Sequence, residues 1–271
     1  MQTSQNRLAS FVDRYLHASA YSAYAFTVGS FSSKGRSLIS TICDHFGYFQ
    51  ESVPPLVPKI AVSEILDPNI AVQVREPLAA DGNISLLELL IIDNLALQFK
   101  PKTMLEIGTF DGRTTTNLAA NSGDDCEVYT LDLPKENKTE TALPVEASDI
   151  PFMPSSATNG VNGTRLRFLN ADCRKKITQL YGDSASFDFT PFYGSVDLVF
   201  VDGSHSYEYA VNDTGIALRL LRNGKGLILW HDYGVCWPGV TRALNEFYSK
   251  GGDFGGLRHI EGTSLACLSL R

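Results

Sequence analysis

From Ser85 onward, short apolar runs alternate with segments of helical periodicity, and no other feature restricts the fold as strongly. "TMLEIGT", "EVYTLDL", "VDLVFVDGSH" and "GLILWHDY" carry β-branched and large apolar residues with little alternation, the pattern of strands covered on both faces. A further strand is expected within "QLYGDSASFDF". Between the strands, "SLLELLIIDNLALQF" opens with a capping box, Ser85 and Glu88, and stops at Lys100-Pro101. "AVNDTGIALRLLRNGKG" places Val211, Thr214, Leu218 and Leu221 on one helical face before Gly224. "VTRALNEFY" does the same with Val240, Ala243, Leu244 and Phe247. The alternation predicts an α/β domain around a mostly parallel, doubly wound sheet.

Residues 1–84 do not share this rhythm. A Pro-rich stretch, Val53–Pro58, follows a helical piece around "LASFVDRYLHASAYSAYAF". The reading is an N-terminal helical cap or lid over 1–84, with a plain packing extension as the alternative, and a ligand-binding domain over 85–271. An insertion rich in Ser, Thr, Pro and Asn runs from Pro134 to Gly163 (134–163); a loop of that length in a compact domain is functional or disordered. The aromatic "YSAYAF" segment suits an interface and leads to the expectation of a homodimer.

A net charge of -7 and the absence of any Lys/Arg run argue against a nucleic-acid partner. Five scattered cysteines without a CxxC read as reduced and cytoplasmic. No run approaches the roughly 18 apolar residues that cross a bilayer, so no membrane partner is expected. Ser19–Phe31 is mildly apolar, but it is interrupted by Tyr and Ser and lacks a basic leader, which argues against a signal peptide.

In open α/β sheets, ligands bind beyond the C-terminal strand ends. The notable polar residues cluster there: Glu106, Gly108 and Asp111 after the first strand, Asp132 at the end of the second, Asp183 in the third-strand segment, Asp202 after the fourth, His231 and Asp232 after the fifth. An acid at the end of the second strand suits the two hydroxyls of a ribose, in NAD or in another nucleoside. The first turn separates these. It reads G-x-x-x-G, with Phe110 where a dinucleotide fold needs its second glycine, and it has no Lys for a phosphate. A ligand with an ammonium and a sulfonium but no phosphate fits this acid-rich turn, and S-adenosylmethionine is such a ligand. Thr114, at the opening of the next helix, is placed to bind its carboxylate.

"LEIGTFDGRTT", "TLDL", "GDS", "VDGSHSYEY" and "GLILWHDY", in this order, resemble the class I S-adenosylmethionine-dependent methyltransferases, in particular the small-molecule O-methyltransferases that include the catechol, caffeoyl-CoA and macrocin enzymes. The resemblance covers roughly Ser85 to Leu270. It implies a Rossmann-like sheet of seven strands. It also implies that Glu106, Gly108, Thr109, Asp111, Thr114 and Asp202 surround the cofactor, that Asp132 binds the ribose, and that Asp183 and Ser184 border the adenine. Asp172 in "NADC" is the alternative adenine acid.

The catechol-type members hold a divalent metal with an acid after the fourth strand and two residues after the fifth. Here those positions are Asp202, His231 and Asp232. The family's usual fifth-strand pair is two oxygen ligands, so the imidazole shifts preference from magnesium toward manganese and similar ions, or toward no metal. His231 as a buried imidazole bonded to backbone, and Asp202 as a helix cap, are the structural alternatives. His205 lies three residues after Asp202, where the catechol enzymes carry their general base, and its imidazole suits that role. Tyr207, Glu208 and Asp213 would support it from behind, with a solvated helix face as the preferred reading of Glu208; a metal ligand and a helix-start structural role are the alternatives for His205. The reading is an O-methyltransferase acting on a small, specialised-metabolite hydroxyl. Its rivals are a metal-independent N- or O-methyltransferase using His205, a cephalosporin-hydroxylase-like enzyme or Rossmann oxidoreductase, and a non-catalytic binding protein.

Overall fold

The computed structural model describes residues 16, 19–24, 26–45, 53–134, 141–146, 149–150, 153 and 166–271. Parts of the expected N-terminal helical piece and much of the expected insertion lie outside them. The chain divides into two compact units, Met1–Ser52 and Val53–Arg271. In the first, residues 19–24 are helical, and a 3-10 turn, Val28–Phe31, leads into helix α1, Ser33–His45.

The boundary falls at Ser52, not at residue 84, because the chain after Val53 joins the sheet. Val57 is buried in the core, and Lys59–Ile60 form strand β1, parallel to a strand near the C-terminus. The remaining strands are β2 Thr103–Ile107, β3 Glu127–Asp132, β4 Ile177–Tyr181, β5 Leu198–Val201, β6 Gly226–Trp230, β7 Arg258–Ile260 and β8 Ala266–Leu270. Their order is β1-β7-β8-β6-β5-β2-β3-β4, with β8 antiparallel to both neighbours and every other pair parallel. The sheet has eight strands, one more than the resemblance implies, and β1 is the addition.

The strand runs are apolar because both sheet faces are covered. Leu105, Ile107, Val199, Val201, Ile228 and Trp230 face one core, with Ala210, Ala217 and Leu220 of α5 (Tyr207–Leu220) and Val240, Ala243 and Leu244 of α6 (Pro238–Lys250). Met104, Val128, Leu198, Phe200 and Leu229 face the other, with Leu89, Ile92 and Ala96 of α3 (Leu86–Phe99) and Leu118 of α4 (Arg113–Ala120); a single turn, α2 (Val62–Ile65), precedes them. The capping box forms: Glu88 N–H donates to Ser85 Oγ at 3.2 Å and Ser85 N–H to the Glu88 carboxylate at 2.9 Å. The helix ends at Lys100, whose φ of 52° turns the chain before Pro101. On α5 the buried face is Ala210, Asp213, Thr214, Ala217 and Leu220, while Val211 and Leu218 flank it half-buried. Within that face Thr214 receives the buried Trp230 indole N–H at 2.9 Å.

Helix α4 buries seven of its eight residues, most of them polar. Asn117 accepts from Arg75 N–H at 2.7 Å and donates to the Arg75 carbonyl at 2.8 Å; Asn121, one turn on, makes the same pair with Gln73 at 2.8 and 2.8 Å. The two amides satisfy an extended backbone as a neighbouring strand would.

Candidate active site

Parallel pairing brings the polar strand ends together. The ladder continues one residue past each strand: Gly108 N–H donates to Leu131 O at 2.9 Å, Asp202 N–H to Ile107 O at 2.8 Å, and His231 N–H to Val201 O at 3.0 Å. Gly108, with φ of 101°, passes so close to β5 that a Cβ there would stand 1.9 Å from the Asp202 carbonyl oxygen. Only glycine fits this crossing.

Glu106 lies between the ends of β3 and β5 and is 1% exposed. Burial pushes its carboxyl up to about 8; the Thr115 and Thr130 hydroxyls oppose this, and the nearby Asp202 and Asp132 charges add to it. Its Oε2 accepts from Thr115 and, at 2.5 Å, from Thr130, while Oε1 has no partner among the described residues. Asp132 accepts Phe110 N–H at 2.8 Å and Leu133 N–H at 2.7 Å, so it holds the glycine turn from the neighbouring strand. Phe110 itself sits at φ 51°. Thr114 is buried in the first turn of α4. An acid-lined turn with an orphaned carboxylate oxygen and no Lys fits a cationic nucleoside such as S-adenosylmethionine.

Asp202, His231 and Asp232 each offer a ligand atom within 4.8 Å of the others. His231 Nδ1 is 3.0 Å from Asp202 Oδ1 and 3.0 Å from Asp232 Oδ2. On its far side, Nε2 faces the Glu88 carboxylate at 3.5 Å. That carboxylate is anchored by Ser264 N–H and Oγ, each at 2.8 Å, and its pKa is held low against the cost of burial by His231 and these hydrogen bonds. Burial opposes charge on the His231 ring, but Asp202 and Asp232 raise its pKa well above the usual imidazole value. Asp232 has φ of 64°, a conformation that strains most residues and that recurs at functional sites. Two carboxylates and an imidazole, with a carboxylate behind the imidazole, fit a divalent transition ion. Helix α5 is capped by Ser206, which accepts Tyr209 N–H at 3.2 Å, so Asp202 is not its cap.

His205 takes a place that the sequence does not show. Its Nε2 is 2.9 Å from Asp232 Oδ2, its Nδ1 meets Asp149, and its ring stacks on Trp237 with centroids 3.7 Å apart. Against burial, the two carboxylates push the imidazole up to about 10. With both nitrogens engaged, His205 has none directed at an incoming hydroxyl, which removes the geometric basis for the expected general base. Tyr207 instead donates to Glu246 at 2.6 Å, and Asp213 is buried beneath the loop after β5.

Four other residues expected at the ligand, and the alternative adenine acid Asp172, bond to protein groups. Asp111, 2% exposed, is held by Arg167, Asn83 and the Arg113 N–H, so its carboxylate fixes the turn. Thr109 Oγ1 is bonded to Thr130 and Gln179 inside the sheet. Asp183 accepts from Tyr209 Oη at 2.8 Å, Ala142 N–H at 2.7 Å and Ala185 N–H at 2.9 Å, anchoring residues 141–146 to α5, while Ser184 bonds the Asp213 carboxyl. Asp172 makes an exposed pair with Arg75 at 3.6 Å. Asp149, Trp237 and the second role of Glu88 were not legible in the sequence.

The strand order is that of the class I methyltransferase fold. Residues 105–233 match the model of a methyltransferase domain family. The O-methyltransferase TomG from Streptomyces achromogenes, in complex with SAM, superposes with a TM-score of 0.51 at 18% identity, over 74% of this chain and 92% of that one. SAH-bound PaMTH1 from Podospora anserina aligns over 89% of this chain and 97% of its own, at 17% identity and a TM-score of 0.46. A Bacillus cereus O-methyltransferase in complex with SAH aligns over 70% and 84%, at 13% identity and a TM-score of 0.46. No match was found among curated protein sequences. The chain thus carries a methyltransferase domain over residues 105–233. No helix among the described residues is long and apolar enough to cross a membrane.

Proposed function

We propose that the chain transfers the methyl group of S-adenosylmethionine to a hydroxyl of a small specialised-metabolite acceptor, assisted by a divalent ion at Asp202, His231 and Asp232. The observation that carries this reading is the convergence of those three side chains within 4.8 Å beside the acid-lined glycine turn. Asp132 would take the ribose and Glu106 would complement the cofactor's positive end. Thr114, at the N-terminus of α4, would meet its carboxylate. The ion, when bound, lowers the pKa of the acceptor hydroxyl. Methyl transfer then requires alignment of the acceptor oxygen with the sulfonium, and Asp202 and Asp232 fix the place of that oxygen on rigid strand ends. Assembly as a homodimer through the exposed Tyr21, Tyr24 and Phe26 belongs to the same reading, and sedimentation of the full chain tests it.

The test is release of S-adenosylhomocysteine from S-adenosylmethionine over a panel of catechols and phenols, with and without chelator. Chelation should abolish turnover and leave S-adenosylhomocysteine binding intact, and manganese or cobalt should restore activity at least as well as magnesium. Turnover that persists in chelator would refute the metal-assisted reading.

A further inference from the structure

Asp149 comes from the insertion, yet it is 5% exposed. A carboxylate so deep is costly unless it is bonded. Glu146 N–H donates to it at 3.2 Å from its own loop. Its other hydrogen bonds come from the loop that follows Asp202: Ser204 Oγ at 2.6 Å, His205 N–H at 3.2 and 3.3 Å, and His205 Nδ1. His205 is thereby fixed in three ways. Trp237 stacked at 12° sets the plane of its ring, Asp149 sets the rotation within that plane, and Nε2 then points at Asp232 Oδ2 from 2.9 Å. Asp232 stands on backbone with φ of 64° next to His231, and His205 is a second imidazole, from outside its own strand, that holds the same Oδ2.

From this chain of contacts we infer that Asp149 is a positioning residue: it acts through His205 to orient the Asp232 carboxylate, and it ties the insertion to the reaction centre. The inference rests on the reading of Asp202, His231 and Asp232 as metal ligands. Groups one step outside a metal's ligands typically change affinity by about 10–100-fold when removed. Ala142, earlier in the insertion, is held separately by Asp183.

The experiment measures manganese affinity of the full chain by electron paramagnetic resonance, and S-adenosylhomocysteine affinity by calorimetry. Wild type is compared with Asp149→Asn, His205→Gln and the double variant. Each single variant should weaken manganese by about 10–100-fold while S-adenosylhomocysteine affinity stays within about twofold. The double variant should be no worse than His205→Gln alone, because Asp149→Asn keeps an oxygen for the Ser204 hydroxyl and the His205 N–H and loses chiefly its contact with the imidazole. Wild-type manganese affinity in either single variant overturns the inference. So does a further loss on adding Asp149→Asn to His205→Gln, since that would mark an effect of charge, or of the loop after Asp202, and not of the imidazole. A wild-type chain that binds S-adenosylhomocysteine but no manganese instead overturns the metal reading, and this inference with it.

Discussion

Arg167 grips the Asp111 carboxylate with Nε at 2.8 Å and Nη2 at 2.7 Å, a two-pronged pair beneath the glycine turn. The same guanidinium donates to the Leu78 carbonyl at 2.8 Å, so one side chain links the turn to the segment before α3. Breaking a buried pair leaves a charge without compensation, at a cost of roughly 3 kcal/mol or more. Asp111→Ala should lower stability by about that amount in denaturant titration and change S-adenosylhomocysteine affinity far less. A large loss of affinity at unchanged stability would return Asp111 to the cofactor.

Asp132→Ala should do the reverse. It removes an acceptor proposed for the ribose, where each hydrogen bond to a charged group contributes roughly 1.5–3 kcal/mol. Calorimetry should show S-adenosylhomocysteine affinity down at least about tenfold in a folded protein. An unaltered affinity would place the ribose elsewhere.

Gly108→Ala should be among the most damaging substitutions in the chain. The added carbon would press on the Asp202 carbonyl at a φ of 101°, and backbone cannot rotate away as a side chain can. Overpacking and left-handed strain each cost about 1–3 kcal/mol. The expected result is a melting temperature lowered by many degrees, or no folded protein. A variant as stable as wild type would show that β2 and β5 separate easily at this point.

Asp213 gives stability a pH dependence. Burial pushes its carboxyl up to about 7, the Ser184 and Asn212 hydrogen bonds oppose the shift, and the Asp183 charge adds to it. The folded pKa lies above the unfolded one, so between about pH 4 and 7 the folded chain keeps a proton that the unfolded chain has lost. Stability therefore falls as pH rises through that window and then levels off. Glu106, pushed up to about 8, extends the fall in the same direction. At about 1.4 kcal/mol per pKa unit, Asp213 contributes several kcal/mol to the drop. Asp213→Asn should flatten it, as measured by unfolding at pH 5 and pH 8. Equal slopes in variant and wild type would show that Asp213 is already ionised.

The sequence made the strands and the cluster of Asp202, His231 and Asp232 legible for one reason: parallel topology aligns C-terminal strand ends. Once "VDLVFVDGSH" and "GLILWHDY" are read as neighbouring buried strands, Asp202 and His231 must meet. The acids near the glycine turn are a different case. Asp111 and Asp132 look alike in sequence, and only the fold brings Arg167 to one and Phe110 N–H to the other. Glu88 was visible as a helix cap, but a cap uses one oxygen, and Ser264 holds the second from the far end of the chain. Asp149 sits in a stretch without periodicity, so nothing local marks it as the partner of His205.

Strand β1 is two residues long, and its brevity bears on how the molecule behaves among copies of itself. Its carbonyls take the outward amides of β7: His259 N–H donates to Pro58 O and Glu261 N–H to Ile60 O, each at 2.9 Å. Pro58 has no N–H to offer in return, and Ala61 already leads into α2. The strand thus occupies the sheet margin with a ladder of two residues, a short edge of the kind that gives another chain little to pair with.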